Sequence, residues 1–507
     1  MSDDKPPEGP DFTAGVPAPD IAEGAMLGGR VGEEAVLLAR VDGALYAIGG
    51  KCTHYQGPLA DGLIKDGAVR CPWHHACFSL KTGEAVGAPA FDPVACWAVE
   101  ETDGQVFVKT RKPETPPQKA PGGGSKRVVI VGGGAGGFAA AEMLRRKGFE
   151  GVVTLFSADA DAPYDRPNCS KDFLSGDAPA EWMPLRDPAW YLDEKIELRT
   201  GTEVTQIDTE KKMVATADGQ SQPYDILILA TGGAPQRPPI PGLDGPNVHL
   251  LRTLEDARAL VTAAEKAKRV AVIGASFIGL EAAAALRKRG LEVHVVAPEA
   301  TPFETVLGAE VGRWAQGVHE KKGVVFHLGR KVQGYADGIL ALDGGITLEA
   351  DLVVLGTGVK PRTALAEAAG LEVDDGVVVD DRLRAGETIY ASGDIARYPD
   401  PISGRRIRVE HWVHAERQGQ HVARAILGED APFRDVPFFW SAQYEQAFHY
   451  DGHAEDFDPP RVDGSVADYD ATVRYEKDGK LLAVVTLDRD MASLEAEMAF
   501  EGAPSAR

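Results

Sequence analysis

Residues 127–148 read RVVIVGGGAGGFAAAEMLRRKG, and residues 269–290 read RVAVIGASFIGLEAAAALRKRG. The two stretches align without a gap. Each has a short apolar run, a turn of small residues and an amphipathic stretch, which is the pattern of a strand, a tight turn and a helix. In the first copy, Gly132, Gly134 and Gly137 fit the GxGxxG fingerprint, whose glycines form the turn, admit a pyrophosphate and let the helix pack on the strand. Two copies predict two dinucleotide-binding α/β domains.

A carboxylate that binds the ribose is expected just after the second strand of such a unit. In the first copy this strand is predicted at residues 152–156, and the candidate carboxylate is Asp159. In the second copy a serine replaces the middle glycine, and the candidate contacts are Gly274, Ser276, Phe277, Ile278 and Gly279. Residues 297–302, after the second strand of that copy, contain Glu299 but no Arg or Lys for a 2′-phosphate. We therefore predict NADH rather than NADPH as the second ligand.

Composition and charge narrow the class of protein. The chain has 507 residues, of which 44% are hydrophobic, so several packed domains are expected rather than disorder. The 54 basic and 77 acidic side chains leave a net charge of −23, which argues against binding to nucleic acid or anionic membranes. No apolar stretch is long enough to span a bilayer, and the acidic, proline-rich start is unlike a secretory signal. We predict a cytoplasmic protein, and the five cysteines argue against a disulfide scaffold.

The first part of the chain contains two short groups of cysteine and histidine. Cys52 and His54 stand in KCTH, and after 16 intervening residues Cys71 and His74 stand in RCPWH. Both groups lie in a region of short predicted strands and tight turns. Two thiolates and two imidazoles can hold a [2Fe–2S] cluster with the cysteines on one iron and the histidines on the other. A zinc ion accepts the same four donors, so the residue types alone leave both metals open.

The sequences around these residues, KCTHYQGPLADG and RCPWHHACFSLKTGEA, resemble Rieske proteins over the whole first domain. The resemblance favours the [2Fe–2S] cluster over zinc. The metal ligands that it implies are Cys52, His54, Cys71 and His74. It departs at His75, where the family usually has glycine, and we predict a residue at the solvent edge there because ligand spacing is fixed. Cys77 and Cys96 are predicted to be small buried side chains.

Three further segments, in order along the chain, resemble FAD-dependent ferredoxin reductases of the glutathione-reductase fold. They are PYDRP at residues 163–167, YDILILATG at residues 224–232 and TIYASGD at residues 388–394. The resemblance implies FAD in the first dinucleotide fold and NAD(H) in the second, with Gly358 near the nicotinamide. The FAD contacts that we predict are Gly132, Gly134, Gly137, Asp159, Arg166, Lys171, Thr231, Gly232, Asp394 and Trp412.

The whole chain resembles the Rieske-fused, apoptosis-inducing factor 3-like branch of the FAD-dependent pyridine nucleotide-disulfide oxidoreductases. In apoptosis-inducing-factor-like proteins a lysine and a glutamate meet near the flavin, and the resemblance assigns these catalytic positions to Lys171 and Glu281. The pair could position the nicotinamide or could be a structural bridge. Trp412 and Trp440 match family positions near the isoalloxazine ring. The superfamily's disulfide reductases need two cysteines beside the flavin, and the lone Cys169 excludes that relay but could be a peroxide-reactive thiol or inert.

These motifs and the composition predict the domain order. The predicted parts are a disordered tail at 1–12, a Rieske domain at 13–110, a flexible linker at 111–126, an FAD domain at 127–245 and 371–430, an NAD(H) domain at 246–370 and a C-terminal α+β domain at 431–507. The linker follows from RKPETPPQKAPGGGSK, whose prolines and glycines cannot form a core. The fold class is a multidomain protein with an all-β domain, an α/β flavoprotein like glutathione reductase and an α+β domain.

The resemblance implies an NADH-dependent oxidoreductase that transfers electrons from NADH through FAD to the fused cluster, and then to an unidentified acceptor such as an oxygenase. FAD can accept two electrons together and release them one at a time, as a one-electron cluster requires. Two alternatives stay open. One is a self-contained NADH oxidase or peroxidase, and the other is a redox-responsive interaction protein that senses NADH. Both a monomer and a homodimer fit the sequence.

Overall fold

The computed structural model describes residues 7–117, 119 and 124–502. The chain divides into two units. The first comprises the described residues up to Lys119 together with Arg489–Gly502, and the second comprises the described residues from 124 to Asp488. The last helix is therefore grouped with the first part of the chain, whereas the sequence assigned it to a C-terminal domain at 431–507. The other predicted domain bounds between 127 and 430 stay predictions.

The first unit is built from antiparallel strands, as its sequence predicts. One sheet has the strand order Val16–Pro17, Gln105–Arg111, Cys96–Thr102, Ala44–Gly49, Glu34–Val41 and Met26–Val31. A second sheet has the order Leu63–Lys65, Ala68–Arg70, Cys77–Ser79 and Ala85–Gly87. The second group of cysteine and histidine lies in the connection between the second and third strands of this smaller sheet.

One strand of the larger sheet shows why this unit has two cores. Successive side chains of a strand point to opposite faces of the sheet. Leu38 packs with Phe12 in one buried cluster. Its neighbour Leu37 packs with Cys52 and Cys71 in the other. The larger sheet therefore supports the cysteine-bearing loops with one face and is covered on the other face by the start of the chain.

Part of the predicted disordered tail is ordered. Phe12 is fully buried, and its N–H donates to the carbonyl oxygen of Arg30 at 3.0 Å. Asp11 forms an ion pair with Arg30 at 3.3 Å. The prediction is therefore wrong at the end of the tail, because burial of an aromatic side chain offsets the entropy lost on ordering the backbone. Residues 1–6 lie outside the described residues.

The predicted linker at 111–126 begins later than expected. Arg111 is the last residue of a strand, and the N–H of Lys112 donates to the carbonyl oxygen of Cys96 at 2.8 Å. Residue 118 and residues 120–123 lie outside the described residues. The flexibility of the linker therefore stays a prediction.

The helices are labelled in chain order. They are α1 (Ala135–Arg146), α2 (Asp172–Ser175), α3 (Pro188–Asp193), α4 (Leu254–Ala264), α5 (Phe277–Lys288), α6 (Glu304–Lys321), α7 (Ala364–Ala368), α8 (Trp412–Ile426) and α9 (Asp490–Gly502). Helices α1 and α5 begin at the two glycine-containing turns. Among the described residues, no helix combines the length and the apolar character that crossing a membrane requires. The cytoplasmic location stays a prediction.

Two parallel sheets form the centre of the second unit. The first has the strand order Ile196–Arg199, Val152–Phe156, Arg127–Val131, Ile226–Leu229 and Ile389–Ala391. The second has the order Val248–Leu250, Leu352–Leu355, Arg269–Ile273, Glu292–Ala297 and Val325–Leu328. The last strand of the first sheet follows the whole second sheet in the chain, so the second dinucleotide fold is inserted into the first. The predicted α/β class with two dinucleotide folds is confirmed.

Smaller sheets complete the second unit. They comprise Val204–Asp208, Met213–Thr216 and Ser221–Pro223; Val332–Ala336, Ile339–Leu342 and Thr347–Glu349; Val377–Val378, Ala396–Pro399 and Arg406–Arg408; and Gly233–Pro235 with Val359–Pro361. The antiparallel C-terminal sheet has the order Phe438–Gln443, Gln446–Gly452, Lys480–Leu487, Asp470–Lys477 and Arg461–Ser465. Phe448 of this sheet packs with Leu280 of α5 and Trp314 of α6 in one buried cluster. The sheet is thereby fixed to the helices of the second dinucleotide fold.

Candidate functional site

A cavity of about 920 Å³ in the second unit is lined by residues from both dinucleotide folds. All of the predicted FAD contacts except Gly137 line it. Phe277 and Ile278, two of the predicted NAD contacts, line it together with Glu281. The other predicted NAD contacts, which are Gly274, Ser276, Gly279, Glu299 and Gly358, do not. The cavity therefore joins the first glycine turn to the start of α5.

The first glycine turn depends on close approaches of the backbone. Gly132 has a φ of 119°, and a Cβ there would lie 2.0 Å from the carbonyl oxygen of Ala230. A Cβ on Gly137 would lie 1.9 Å from the carbonyl oxygen of Gly132, so only glycine lets α1 pack this closely. A Cβ on Gly134 would meet only Arg166, at 3.8 Å. The turn thus leaves space beside a helix N-terminus, where a phosphate can bind.

The second turn repeats two of these approaches. A Cβ on Gly274, whose φ is 107°, would lie 2.2 Å from the carbonyl oxygen of Gly356. A Cβ on Gly279 would lie 2.3 Å from the carbonyl oxygen of Gly274. Ser276, at the middle position, donates its hydroxyl to the carbonyl oxygen of Gly356 at 3.0 Å. The serine therefore ties the turn to the loop that continues to Gly358, a link that a glycine could not make.

Asp159 lies at the cavity and is held by two neighbouring side chains. Its Oδ2 accepts a hydrogen bond from the hydroxyl of Tyr164 at 2.8 Å, and Nη2 of Arg166 lies 3.5 Å from the same oxygen. The hydroxyl of Tyr164 in turn accepts from the N–H of Leu254 at 3.1 Å. The carboxylate is thus oriented before any ligand binds. Its role as the ribose ligand stays a prediction.

Arg252 is a cavity residue that sequence reasoning missed. Its guanidinium forms an ion pair with Asp394, the aspartate of the TIYASGD segment. The preceding residue, Gly393, donates its N–H to Oε1 of Gln418 at 2.7 Å. The segment is thereby fixed to α8, whose first residue, Trp412, also lines the cavity. Arg252 lies in no motif of the sequence, so nothing distinguished it from the other arginines.

The predicted Thr231 and Gly232 form the part of the cavity wall that follows the strand Ile226–Leu229 of the first parallel sheet. Gly232 has a φ of 65°, a left-handed conformation that suits glycine. Thr231 donates its hydroxyl to the carbonyl oxygen of Arg362 at 2.9 Å. This hydrogen bond joins the ATG segment to the chain that returns from the second dinucleotide fold.

Several buried polar atoms at the cavity lack a hydrogen-bond partner among the described residues. They are Nε of Arg166, Nε of Arg252, Oγ of Ser392 and Nδ1 of His411, and all four residues line the cavity. Buried polar groups in proteins are normally satisfied, so such atoms indicate a missing polar ligand. Together with the open space at Gly134, they fit a phosphate-bearing dinucleotide such as FAD.

The structure brings the two predicted catalytic residues together. Nζ of Lys171 lies 2.9 Å from Oε2 of Glu281, and it also lies 5.9 Å from the ring centroid of Trp440. All three side chains line the cavity. Lys171 comes from the first dinucleotide fold and Glu281 from α5 of the second, so the ion pair joins the two folds. Its catalytic role stays a prediction.

Glu281 is held by a chain of hydrogen bonds that sequence reasoning missed. Ser170 donates to its Oε2 at 2.7 Å, and Ser441 donates to its Oε1 at 2.7 Å. Nε2 of Gln443 donates to the hydroxyl of Ser441 at 2.9 Å, and Nε2 of His319 lies 2.7 Å from Oε1 of Gln443. Burial lowers the pKa of His319 to about 4, so its ring is neutral and donates from Nε2. Every donor in the chain therefore points toward the carboxylate.

Cys169 lies next to Ser170 and two residues before Lys171, but it is shielded. Its side chain is 2% exposed. Burial raises the pKa of its thiol to about 12. The thiolate is the reactive form of cysteine, so the geometry favours the inert alternative over a peroxide-reactive thiol.

Glu299 follows the strand Glu292–Ala297, at the place where the second dinucleotide fold presents its ribose carboxylate. A neighbouring loop reaches the same strand end, because the N–H of Arg330 donates to the carbonyl oxygen of Ala297 at 3.1 Å. Sequence reasoning considered only residues 297–302 and therefore missed this arginine. The preference for NADH thus stays a prediction, and Arg330 is the residue that could instead bind the 2′-phosphate of NADPH.

The cysteine and histidine residues of the first unit form two pairs. Nδ1 of His54 lies 3.2 Å from Nδ1 of His74. Cys71 donates a hydrogen bond to Cys52, which lowers the pKa of Cys52, and each thiol is 1% exposed. Burial lowers the pKa of His54 to about 3, so its imidazole is in the neutral form that binds metals. Two sulfur donors and two nitrogen donors fit a [2Fe–2S] cluster of the Rieske kind.

The donors do not converge as they would on a single ion. Among the residues that the structure describes, no three His, Cys, Asp or Glu side chains are grouped as one metal ion would require. A cluster with two irons needs only two protein ligands on each iron. Two pairs of donors therefore fit a cluster of this kind.

The two loops that carry these donors have the same backbone design. In the first, Cys52 N–H donates to the carbonyl oxygen of Gly57 at 2.8 Å, and Gln56 N–H donates to that of Cys52 at 2.9 Å. In the second, Cys71 N–H donates to the carbonyl oxygen of Ala76 at 2.8 Å, and the N–H four residues after Cys71 donates back to its carbonyl at 3.1 Å. The matched loops present one thiol and one imidazole each to the same space.

The prediction for His75 is wrong. It is fully buried rather than at the solvent edge, and its φ of 60° places it in the left-handed region. A glycine adopts this conformation without strain, which explains the glycine usual at this position. Here the imidazole is held by a carboxylate of α9, because Nδ1 of His75 lies 2.8 Å from Oε2 of Glu497. Cys96 is buried as predicted, whereas Cys77 is only partly buried.

Comparison with known proteins decides the family. Residues 126–419, more than half of the chain, match the family described as pyridine nucleotide-disulphide oxidoreductase. The chain belongs to this family. Residues 13–98 match the Rieske [2Fe-2S] domain family, so the first unit carries a Rieske domain rather than a zinc module. This member is an FAD-dependent oxidoreductase that uses NAD(H) and carries a [2Fe–2S] cluster.

Relatives extend the match over both units. The oxidoreductase is 32% identical to apoptosis-inducing factor 3 from Homo sapiens over 505 residues, which cover 95% of this chain and 83% of the relative. It is 40% identical over 311 residues to the ferredoxin–NAD(+) reductase component of the anthranilate 1,2-dioxygenase system from Burkholderia cepacia, over 60% of this chain and 76% of the relative. The predicted apoptosis-inducing factor 3-like resemblance is confirmed.

A solved structure supports the fold of the second unit. In the crystal structure of the covalent putidaredoxin reductase–putidaredoxin complex, one chain is 34% identical to this oxidoreductase, with a TM-score of 0.71. The match covers 74% of this chain and 93% of that chain. At this identity and score, the flavoprotein architecture predicted from the two glycine turns is confirmed.

Proposed function

We propose that this oxidoreductase transfers electrons from NADH through FAD to its own Rieske [2Fe–2S] cluster, and then to a separate acceptor. The observation that carries the proposal is the cavity whose wall contains the first glycine turn, the start of α5 and the ion pair between Lys171 and Glu281. Hydride transfer requires the nicotinamide to reach the flavin, and this cavity is lined by residues of both dinucleotide folds.

The residues divide the task by the groups that they offer. Gly132, Gly134, Arg166 and Asp394 would hold the FAD, and Phe277 and Ile278 would contact the nicotinamide dinucleotide. Lys171 and Glu281 would position the nicotinamide at the flavin, since an ion pair withdrawn from water is rigid. When bound, FAD supplies the exchange of one two-electron hydride for two single electrons that a one-electron cluster can take.

The acceptor is proposed from the relatives and from charge. One relative is named as the reductase component of a dioxygenase system, so an oxygenase or an electron carrier that serves one is the proposed acceptor class. The net charge of this chain is −23, so such a partner would dock with a basic surface. Raising the ionic strength from 0.05 to about 0.5 M would then slow electron delivery by screening this attraction.

A variant without the cluster tests the proposed route. Cys71→Ser removes one proposed ligand from the first unit. Under the proposal, NADH still reduces the flavin of this variant at the wild-type rate, but electron delivery to the one-electron acceptor cytochrome c falls by about tenfold or more, because the proposed exit is lost. Cytochrome c reduction that continues at the wild-type rate in the iron-free variant would show that electrons leave from the flavin instead.

A further inference from the structure

Helix α9 presents three polar side chains at intervals of four residues. They are Ser493, Glu497 and Glu501, and this spacing places them on one face of the helix. The helix follows the C-terminal sheet in the chain, yet its contacts group it with the first unit. The polar face is therefore a part of the unit that carries the cluster loops.

The centre of this face is a carboxylate without access to water. Glu497 is fully buried, and its Oε2 lies 2.7 Å from Nη1 of Arg70 and 2.8 Å from Nδ1 of His75. A carboxylate can only accept, so the imidazole donates from Nδ1. The other ring nitrogen of His75 lies 3.2 Å from the hydroxyl of Ser493. Both nitrogens of this buried ring are thus held by α9.

The end of the face grips the strand that leads into the loop. Oε1 of Glu501 lies 3.0 Å from Nη2 of Arg70, and its Oε2 pairs with Lys65 of the adjacent strand. Arg70 therefore bridges two carboxylates of α9. An arginine guanidinium suits this task because its donors are fixed in one plane.

The two anchor points flank the second ligand loop. Arg70 immediately precedes Cys71, and His75 immediately follows His74. His75 has the left-handed backbone that closes the loop. This conformation has a free-energy cost for a residue with a Cβ, and the hydrogen bonds of the His75 side chain to α9 offset that cost. In the first loop the equivalent left-handed residue is Gln56, which is exposed. Of these two left-handed residues, His75 is the one whose side chain α9 holds.

We propose that α9 is a positioning element of the cluster site. Through Glu497 it fixes the loop that presents Cys71 and His74. The stability of the cluster therefore depends on a helix that is distant from the ligands in the sequence. The inference rests on the proposed [2Fe–2S] cluster. It assigns no chemistry to His75, which acts through the ligand loop and not as a ligand.

Glu497→Ala in the full-length holoprotein tests this inference. The variant leaves Arg70 and His75 without their shared carboxylate, and we expect an iron chelator to bleach the cluster absorbance about tenfold faster than in wild type, because the loop opens more often. The matched control is Glu495→Ala, which changes an exposed glutamate of the same helix. Equal bleaching rates in Glu497→Ala and Glu495→Ala would overturn the proposal.

Two further measurements keep the test decisive if Glu497→Ala misassembles. Glu497→Gln keeps the size of the side chain and should give a smaller acceleration in the same direction. Hydrogen exchange of the His75 amide, which donates to the carbonyl of Cys71, should accelerate in both Glu497 variants and not in the control. Unchanged exchange in both Glu497 variants would contradict the positioning role proposed for α9.

A double-mutant cycle separates the contact between Glu497 and His75 from a general effect of the substitution on α9. In a His75→Gly background the backbone needs no support, so Glu497→Ala should accelerate bleaching by less than half of its factor in wild type. An unchanged factor would overturn the coupling. Failure of the proposed function is distinguished by the wild type itself, which would then contain no iron or keep its cluster oxidised with NADH, whatever the Glu497 variants do.

Discussion

The ammonium group of Lys171 lies 2.9 Å from the carboxylate of Glu281, and the two side chains are 18% and 5% exposed. One residue belongs to the first dinucleotide fold and the other to α5 of the second. Breaking a pair that is withdrawn from water leaves one charge uncompensated, which costs more than the loss of a surface pair. The pair therefore links the two dinucleotide folds and fixes two opposite charges at the cavity wall.

Glu281→Gln should slow the reduction of FAD by NADH by about tenfold or more, because the amide is isosteric but cannot hold the Lys171 ammonium in place. Stopped-flow absorbance of the flavin measures the rate. The control is Glu255→Gln, which changes an exposed glutamate of α4 in the same unit. If the two variants show the same rate and the same NADH affinity, the pair is only a structural bridge.

Ser441→Ala should weaken the second unit and slow flavin reduction together. The hydroxyl donates to Glu281 and accepts from Gln443, so its loss leaves a buried carboxylate oxygen and a buried amide unsatisfied, at a cost of about 1–3 kcal/mol. Release of FAD fluorescence in urea measures the stability. Ser221→Ala, at an exposed strand position, is the control, and equal urea midpoints for the two variants would refute the role of the hydrogen-bond chain.

His319 should make the second unit less stable at acidic pH. Its folded pKa of about 4 lies below the unfolded value of about 6.5, so the unfolded state binds the proton first. Its contribution is complete above pH 6.5 and falls as the pH decreases toward 4, by about 2 kcal/mol at pH 5. Urea midpoints at pH 7.5 and 5 should therefore differ less in His319→Gln than in wild type. An identical pH dependence would show that His319 does not titrate on unfolding.

Cys169→Ser should leave NADH oxidation by oxygen and by peroxide unchanged, since the thiol is 2% exposed and its pKa is about 12. Initial rates with each oxidant, and the rate of labelling by iodoacetamide, measure this. A peroxide rate that drops about tenfold in the variant would instead support the peroxidase alternative.

Wild type should use NADH with a kcat/KM about tenfold or more above that for NADPH, because Glu299 would repel a 2′-phosphate. Steady-state rates with a one-electron acceptor measure the ratio. Arg330→Ala should leave the ratio in place. If instead NADPH is preferred and Arg330→Ala abolishes the preference, the loop that reaches Ala297 carries the phosphate site.

Local patterns predicted the parts of the site that depend on local backbone geometry. The glycines of the first turn and the cysteine–histidine loops are of this kind, since φ angles and ligand spacing leave a signature within a few residues. Long-range partners left none. His75 is held by Glu497, 422 residues away in the chain, and Phe12 is ordered by a sheet that it covers. A polar residue on one face of a helix, such as Glu497, is expected to face solvent unless its buried partner is known.

The hydrogen-bond chain to Glu281 lies between these cases. Ser441 and Gln443 are two residues apart in PFFWSAQ, so they share one face of the strand Phe438–Gln443. Two polar residues on an otherwise aromatic strand were a detectable signal. His319, in the last turn of α6, was not, because a single histidine in an amphipathic helix gives no indication of its partner.

An anaerobic titration of the purified protein with NADH tests the central claim most directly. Visible absorbance follows the flavin, and low-temperature EPR follows the cluster. The account predicts that the flavin bleaches and that a rhombic signal with an average g value well below 2, typical of a reduced Rieske cluster, grows with the added NADH. A flavin that bleaches while the cluster stays oxidised, although dithionite reduces it, would contradict the proposed route from FAD to the fused cluster.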